Sequence, residues 1–281
     1  MRWSFRLGHF FGVPVYLHLT FLLLLGFVGL AGLSRGGPAA AFGGVAMIAA
    51  VFGCVLLHEF GHVLAAKRYG IPTRDVTLLP IGGIARLARM PDEPKQELVV
   101  ALAGPAVNVA IAVLLFPLMA LAGSSFLVQL FAINVILALF NMLPAFPMDG
   151  GRVLRALLAR RMSYMRATDL AATIGKGMAV LLGLAGMFGI PGVWGSNPML
   201  LLIAWFVWSG AGREAAMVRQ RHPVGWPSGA PSADGVHEAE VVWTPPSDQH
   251  DADARLQGRT YRVGPLVVHR DEWVAGDDEK R

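Results

Sequence analysis

Charge is what this chain has least of. Of its 281 residues, 15% are Asp, Glu, Lys or Arg, where soluble domains average about 25%. With 54% hydrophobic residues and a mean hydropathy of +0.52, an ordinary soluble protein is excluded. Disorder along the whole length is excluded on the same ground. A single cysteine, Cys54, rules out an intrachain disulfide framework and any cysteine-only metal cluster. No internal repeat is visible, and length alone suggests one or two domains.

Acidic residues are scarcest in the first four fifths. Residues 1–221 carry 18 Lys and Arg against 8 Asp and Glu, whereas residues 222–281 carry 6 against 11, so the formal net charge of +5 hides two opposite parts. A basic chain often signals nucleic acid. Here the basic residues sit in short clusters between long apolar runs, which is the pattern of cytoplasmic loops in a membrane protein. No nucleic-acid partner is expected.

A helix needs about 20 apolar residues to cross a bilayer. Six runs approach that: 13–33, 41–66, 98–122, 125–143, 171–190 and the short 198–212. The first is too long for the apolar part of a cleaved signal peptide and reads as a retained helix. Basic residues cluster at the N-terminus, in 67–97, in 152–176 and after 212, while the alternate connections hold only Arg35. Six crossings with both ends in the cytoplasm satisfy the positive-inside rule at every loop. The fold class expected is an all-α polytopic membrane protein.

Two stretches depart from this pattern. Residues 75–87 have β-branched and leucine runs around Gly82-Gly83 and read as a membrane-associated hairpin. Pro80 should keep one of its strands off a central position. Residues 222–258 are rich in Pro, Ser, Asp and Gly and read as a flexible tail, followed by a β-prone run in 259–275. The chain therefore divides into a six-helix membrane domain, 1–221, and an acidic, largely disordered cytoplasmic tail, 222–281.

His58-Glu59-Phe60-Gly61-His62 is an H-E-x-x-H sequence. On a helix, positions i and i+4 share a face, so both imidazoles can reach one zinc, with Glu59 beside them to act on a bound water. The three lie in an otherwise apolar run, where ionisable residues are costly and point to function. A catalytic zinc takes a third protein ligand and keeps one position open. The metzincin spacing fails, because position 68 is Arg68. Glu93 and Glu97 are candidates in a loop that looks solvated. Asp149 is better placed: it follows the fourth apolar run, where Pro144, Pro147 and Gly150-Gly151 break the helix at the depth of the histidines.

The residues resemble those of the site-2 protease family, the intramembrane zinc metalloproteases. The likeness rests on His58-Glu59-x-x-His62 in a membrane helix with Asn141, Pro144, Pro147, Asp149, Gly150 and Gly151 downstream, and covers about residues 8–212. It implies one zinc per chain on His58, His62 and Asp149, with Glu59 as catalytic base. It implies that Asn141 holds substrate or the oxyanion, and Gly104-Pro105-x-x-Asn108 matches a further motif. The implied partner, besides the bilayer, is a single-pass membrane protein already trimmed by another protease. The implied place is a bacterial or archaeal cell membrane. No PDZ-like insertion or CBS pair is visible.

Plainer readings stand beside these. Asn108 and Asn141 can hydrogen-bond between helices. Cys54 reads as a small core residue near the His58 face, and His9 and His18 as interfacial or core histidines. Outside proteolysis, a metal transporter also places His and Asp near broken helices, and a catalytically silent relative would bind membrane partners only.

Overall fold

The computed structural model describes residues 3–80, 82–89, 93–189 and 195–221, with three short strands at 261–263, 266–268 and 273–275. The chain divides into two compact units, Met1–Ala215 and Ala216–Arg281. The elements run β1 (Ser4–Phe10), β2 (Val13–His18), α1 (Leu19–Arg68), β3 (Thr73–Leu79), β4 (Gly82–Leu87), α2 (Pro94–Ala122), α3 (Ser125–Asn141), α4 (Asp149–Ala159), α5 (Tyr164–Phe188) and α6 (Pro198–Arg221). In the second unit β5 (Tyr261–Val263), β6 (Leu266–Val268) and β7 (Trp273–Ala275) form an antiparallel sheet in that order, within the run read as β-prone. The tail expected at 222–258 lies outside the described residues.

Helix α1 combines the first two apolar runs. Its 50 residues are broken only at Gly36 and Gly37, the latter at φ 72°, a left-handed conformation that glycine adopts without steric cost. Pro38 then opens the second leg, at a first-turn position whose N–H would have no intrahelical partner. The legs return side by side: a Cβ on Gly32 would lie 2.5 Å from Ala41 Cα. The expected 34–40 loop is thus a two-residue turn.

Two sequence expectations change here. Residues 13–18 are strand, not the start of a helix, and the 75–87 hairpin is half of a four-stranded sheet ordered β1-β2-β3-β4. The join is the parallel β2–β3 pair, Val15 opposite Val76 and Leu17 opposite Leu78. A short apolar run that leads straight into an apolar helix carries too few residues to reveal its period. Strand β3 is central. Pro80 sits just past its last residue, so its missing N–H removes no ladder bond.

The sheet packs along the second leg of α1. Val13, Val15 and Val76 bury against Phe60 and Val63, while Leu17 and Leu78 bury against Phe21 and Phe52. Lengths match across this packing. The 17-residue first leg is about 25 Å long, β2 adds about 20 Å, and the 31-residue second leg is about 46 Å. Strand β2 and the first leg together therefore run the length of the second leg.

Among the described residues, three helices are long and apolar enough to cross a membrane: α1, α2 and α5. Helix α3 is apolar over 17 residues and shorter, and α6, 24 residues long, begins with the sixth run. The fourth apolar run ends where Pro144 and Pro147 were expected to end it. Residues 142–148 are irregular, with a cis Phe146–Pro147 peptide, and Asp149 opens α4.

Candidate metal centre

His58 and His62 lie one turn apart on the second leg of α1, both facing α2, and both are buried. Their Nε2 atoms are 3.1 Å apart. Asp149 is 8% exposed, and its Oδ2 lies 3.2 Å from each Nε2. The far ring nitrogens fix the tautomers. His62 Nδ1 lies 2.7 Å from the Val100 carbonyl, and His58 Nδ1 lies 2.5 Å from Asn108 Oδ1. Both oxygens only accept, so both Nδ1 atoms carry the proton and a neutral ring leaves Nε2 bare.

Three buried acceptors thus converge, and Asp149 Oδ2 has no hydrogen-bond donor. Such an arrangement is repulsive until a cation shares the lone pairs. Tetrahedral zinc with bonds of about 2.0–2.1 Å holds its ligand atoms roughly 3.4 Å apart, close to the separations found. The donor set of two imidazoles and a carboxylate suits zinc as well. The three side chains can therefore hold a metal ion.

The close approach of α2 depends on Gly104. A Cβ there would collide with His62 Nε2 and lie 2.7 Å from His58 Nε2. Glu59, next in sequence to His58, is half-buried, and its Oε2 accepts a hydrogen bond from Ala85 N–H at 3.2 Å. A Cβ on Gly83 would lie 2.6 Å from Glu59 Cγ, so β4 lies against this carboxylate. Strand β4 is an edge strand, and Ala85 N–H faces Glu59 from it.

The other candidates are placed as follows. Asn141 is the last residue of α3, half-buried, with no hydrogen bond to His58, Glu59, His62 or Asp149. Glu93 is the N-cap residue of α2. Glu97 is not solvated as expected: it is buried and paired with Arg155. His18 caps the start of α1, and His9 contacts Arg6. Cys54 is buried, 3.4 Å from Asn134 Nδ2.

Two features escaped sequence reading. One is Asn134, fully buried in α3 and bonded to Asn108 at 3.0 Å; a polar side chain inside an apolar run was the available signal. The other is Arg155, counted in the sequence as a loop arginine. It is 0% exposed and lies on α4 six residues after Asp149. Its Nε donates to Glu97 Oε1 at 2.8 Å and its Nη1 to Glu214 Oε1 at 2.6 Å. The guanidinium also lies 5.0 Å from the centre of the Phe146 ring and 4.9 Å from that of Tyr164. Burial would lower its pKa, but Glu97, Tyr164 and Glu214 outweigh burial and raise it. Arg155 thereby ties the helix that carries Asp149 to α2 and α6.

Comparison with known proteins agrees with this layout. The family model described as peptidase family M50 matches residues 46–124 and 117–182, which hold every residue of the cluster. A zinc metalloprotease of Methanocaldococcus jannaschii is 39% identical over 223 residues, 78% of this chain and 62% of that protein. The chain thus spans less than two thirds of this relative's length. The solved structure of a site-2 protease from Methanocaldococcus jannaschii is 35% identical, with a TM-score of 0.56, over 76% of this chain and 95% of that one. Fold, cluster and sequence agree that the chain belongs to peptidase family M50, the family of the site-2 proteases.

Proposed function

We propose that the chain is an intramembrane zinc metalloendopeptidase, which hydrolyses a peptide bond within or beside the transmembrane segment of a membrane protein. The observation that carries this reading is the set of three buried acceptors, His58, His62 and Asp149, with the Glu59 carboxylate beside them. These three would hold one zinc per chain. A zinc ion held there would supply a water that is nucleophilic near neutral pH and a Lewis acid for the carbonyl.

Glu59 takes the proton of the attacking water and delivers it to the leaving amine. Its hydrogen bond from Ala85 N–H holds the carboxylate in one orientation. Asn141 at the tip of α3 holds the substrate or the oxyanion. A helical substrate hides each carbonyl in an intrahelical bond, so it unwinds before attack. The free edge of β4 beside Glu59 accepts the extended strand by backbone hydrogen bonding. Gly, Pro or small polar residues near the scissile bond make that unwinding cheaper.

The substrate is a single-pass membrane protein, already trimmed by another protease, in regulated intramembrane proteolysis. Six crossings place both ends in the cytoplasm of a bacterial or archaeal cell, with α1 supplying two of them. Strand β2 then completes the first crossing, whose 17-residue leg is short for a bilayer core about 30 Å thick.

The test compares membrane fragments from cells carrying wild type or Glu59→Gln. Mass spectrometry should find transmembrane stubs that accumulate only with the variant, while the purified variant keeps its zinc. A Glu59→Gln protein that still cleaves would remove Glu59 as the base.

A further inference from the structure

Behind His58 runs a chain of buried amides that crosses three helices. His58 Nδ1 on α1 donates to Asn108 Oδ1 on α2 at 2.5 Å, and Asn108 Nδ2 donates to Asn134 Oδ1 on α3 at 3.0 Å. Asn134 Nδ2 donates to the Leu130 carbonyl, one turn back on the same helix, at 2.9 Å and lies 3.4 Å from Cys54 Sγ. Asn108 and Asn134 are both 0% exposed.

An amide can be turned either way, so the direction of such a chain has to be fixed at one end. Here the Leu130 carbonyl fixes it, because a carbonyl only accepts. Asn134 must point Nδ2 at Leu130, which leaves Oδ1 for Asn108. Asn108 must then give Nδ2 to Asn134 and Oδ1 to His58. That oxygen in turn requires the proton on His58 Nδ1 and leaves Nε2 bare towards Asp149. His62 needs no such relay, because the Val100 carbonyl performs the same task directly. A wrongly turned Asn108 would face His58 with an N–H, draw the lone pair to Nδ1 and put the proton on Nε2.

We propose that Asn134 is a positioning residue for the metal centre: acting through Asn108, it sets the tautomer and ring orientation of His58 and so the metal affinity of the site. The proposal rests on the reading of His58, His62 and Asp149 as metal ligands. Groups that orient a ligating histidine typically change metal affinity by about 10- to 100-fold when removed.

The test uses the full chain, purified in detergent, and measures zinc affinity by competition with a chromophoric chelator and the visible spectrum of the cobalt-substituted form. Asn134→Leu keeps the branched shape of the side chain, with larger methyl groups, and removes the acceptor for Asn108. It should weaken zinc binding by about 10- to 100-fold and shift the cobalt bands. Asn134→Thr should recover most of the affinity, because a hydroxyl donates to the carbonyl four residues back and still accepts. If Asn134→Leu does not elute as a single species, Asn134→Ala is measured in its place with the same expectation. Wild-type affinity and spectrum in the loss variant would overturn the proposal. Equal losses in the loss and Thr variants would overturn it too, since packing alone would then explain both. An Asp149→Ala control separates the underlying reading: if that protein binds zinc as tightly as wild type, the ion is held elsewhere and the metal-centre assignment falls first.

Discussion

At the scale of single residues, the site turns on what a helix can bring close to two imidazoles. Gly104 permits that approach, and any Cβ there meets both Nε2 atoms. Two effects oppose each other in Gly104→Ala. Alanine is the better helix former by about 1 kcal/mol, so a helix with no functional contact should gain stability. The clash with the histidines predicts the opposite at the site. Gly104→Ala should keep its helical circular dichroism yet lose zinc at least about 10-fold, read by metal analysis of the purified protein. Undiminished zinc would mean that the imidazoles have room the structure does not show.

At the scale of elements, α4 is the piece whose position matters most. It is only 11 residues long, starts with Asp149 and is held by Arg155 to Glu97 of α2 and Glu214 of α6. Breaking a buried ion pair from one side costs about 3–5 kcal/mol, because a charge is left buried without its partner. Arg155→Leu strands two carboxylates at once. It should lower the thermal unfolding midpoint and zinc content together, since Arg155 and Asp149 share one helix. Arg155→Lys should not rescue it, because an ammonium lacks the planar fork that reaches two carboxylates from between two rings. Wild-type zinc content in a clearly destabilised Arg155→Leu protein would show that α4 is positioned by its apolar contacts instead.

At the scale of the molecule, four helices and a sheet converge on one point that is repulsive when empty. His58 and His62 come from α1, their orienting partners from α2 and α3, Asp149 from α4, and Ala85 from β4. An ion that binds only the folded state stabilises it by about 4 kcal/mol at a thousand times its dissociation constant. Chelation should therefore lower the unfolding temperature of the wild-type chain, and added zinc should restore it. The same treatment should leave Asp149→Ala nearly unmoved. An equal shift in both proteins would locate the stabilising ion outside this cluster.

Much of this was legible in the chain itself. Apolar runs, the alternation of basic loops, the His58–His62 spacing and the break around Pro144 and Pro147 are local patterns, and the helices follow them because helix geometry repeats within a few residues. Asp149 was legible as a candidate because the break and its depth could be read along one chain direction. What only the tertiary structure decided depends on residues far apart in sequence. Strands β1 and β2 join β3 and β4 in one sheet, which the apolar lead into α1 concealed. Arg155 and Glu97, which look like loop charges, neutralise each other in the interior across 58 positions. Asn134 and Asn108 acquire a direction only when three helices close around them. A single sequence states which groups need partners, because buried polar groups must be satisfied. It does not state which partner is reached, because that follows from where helices cross.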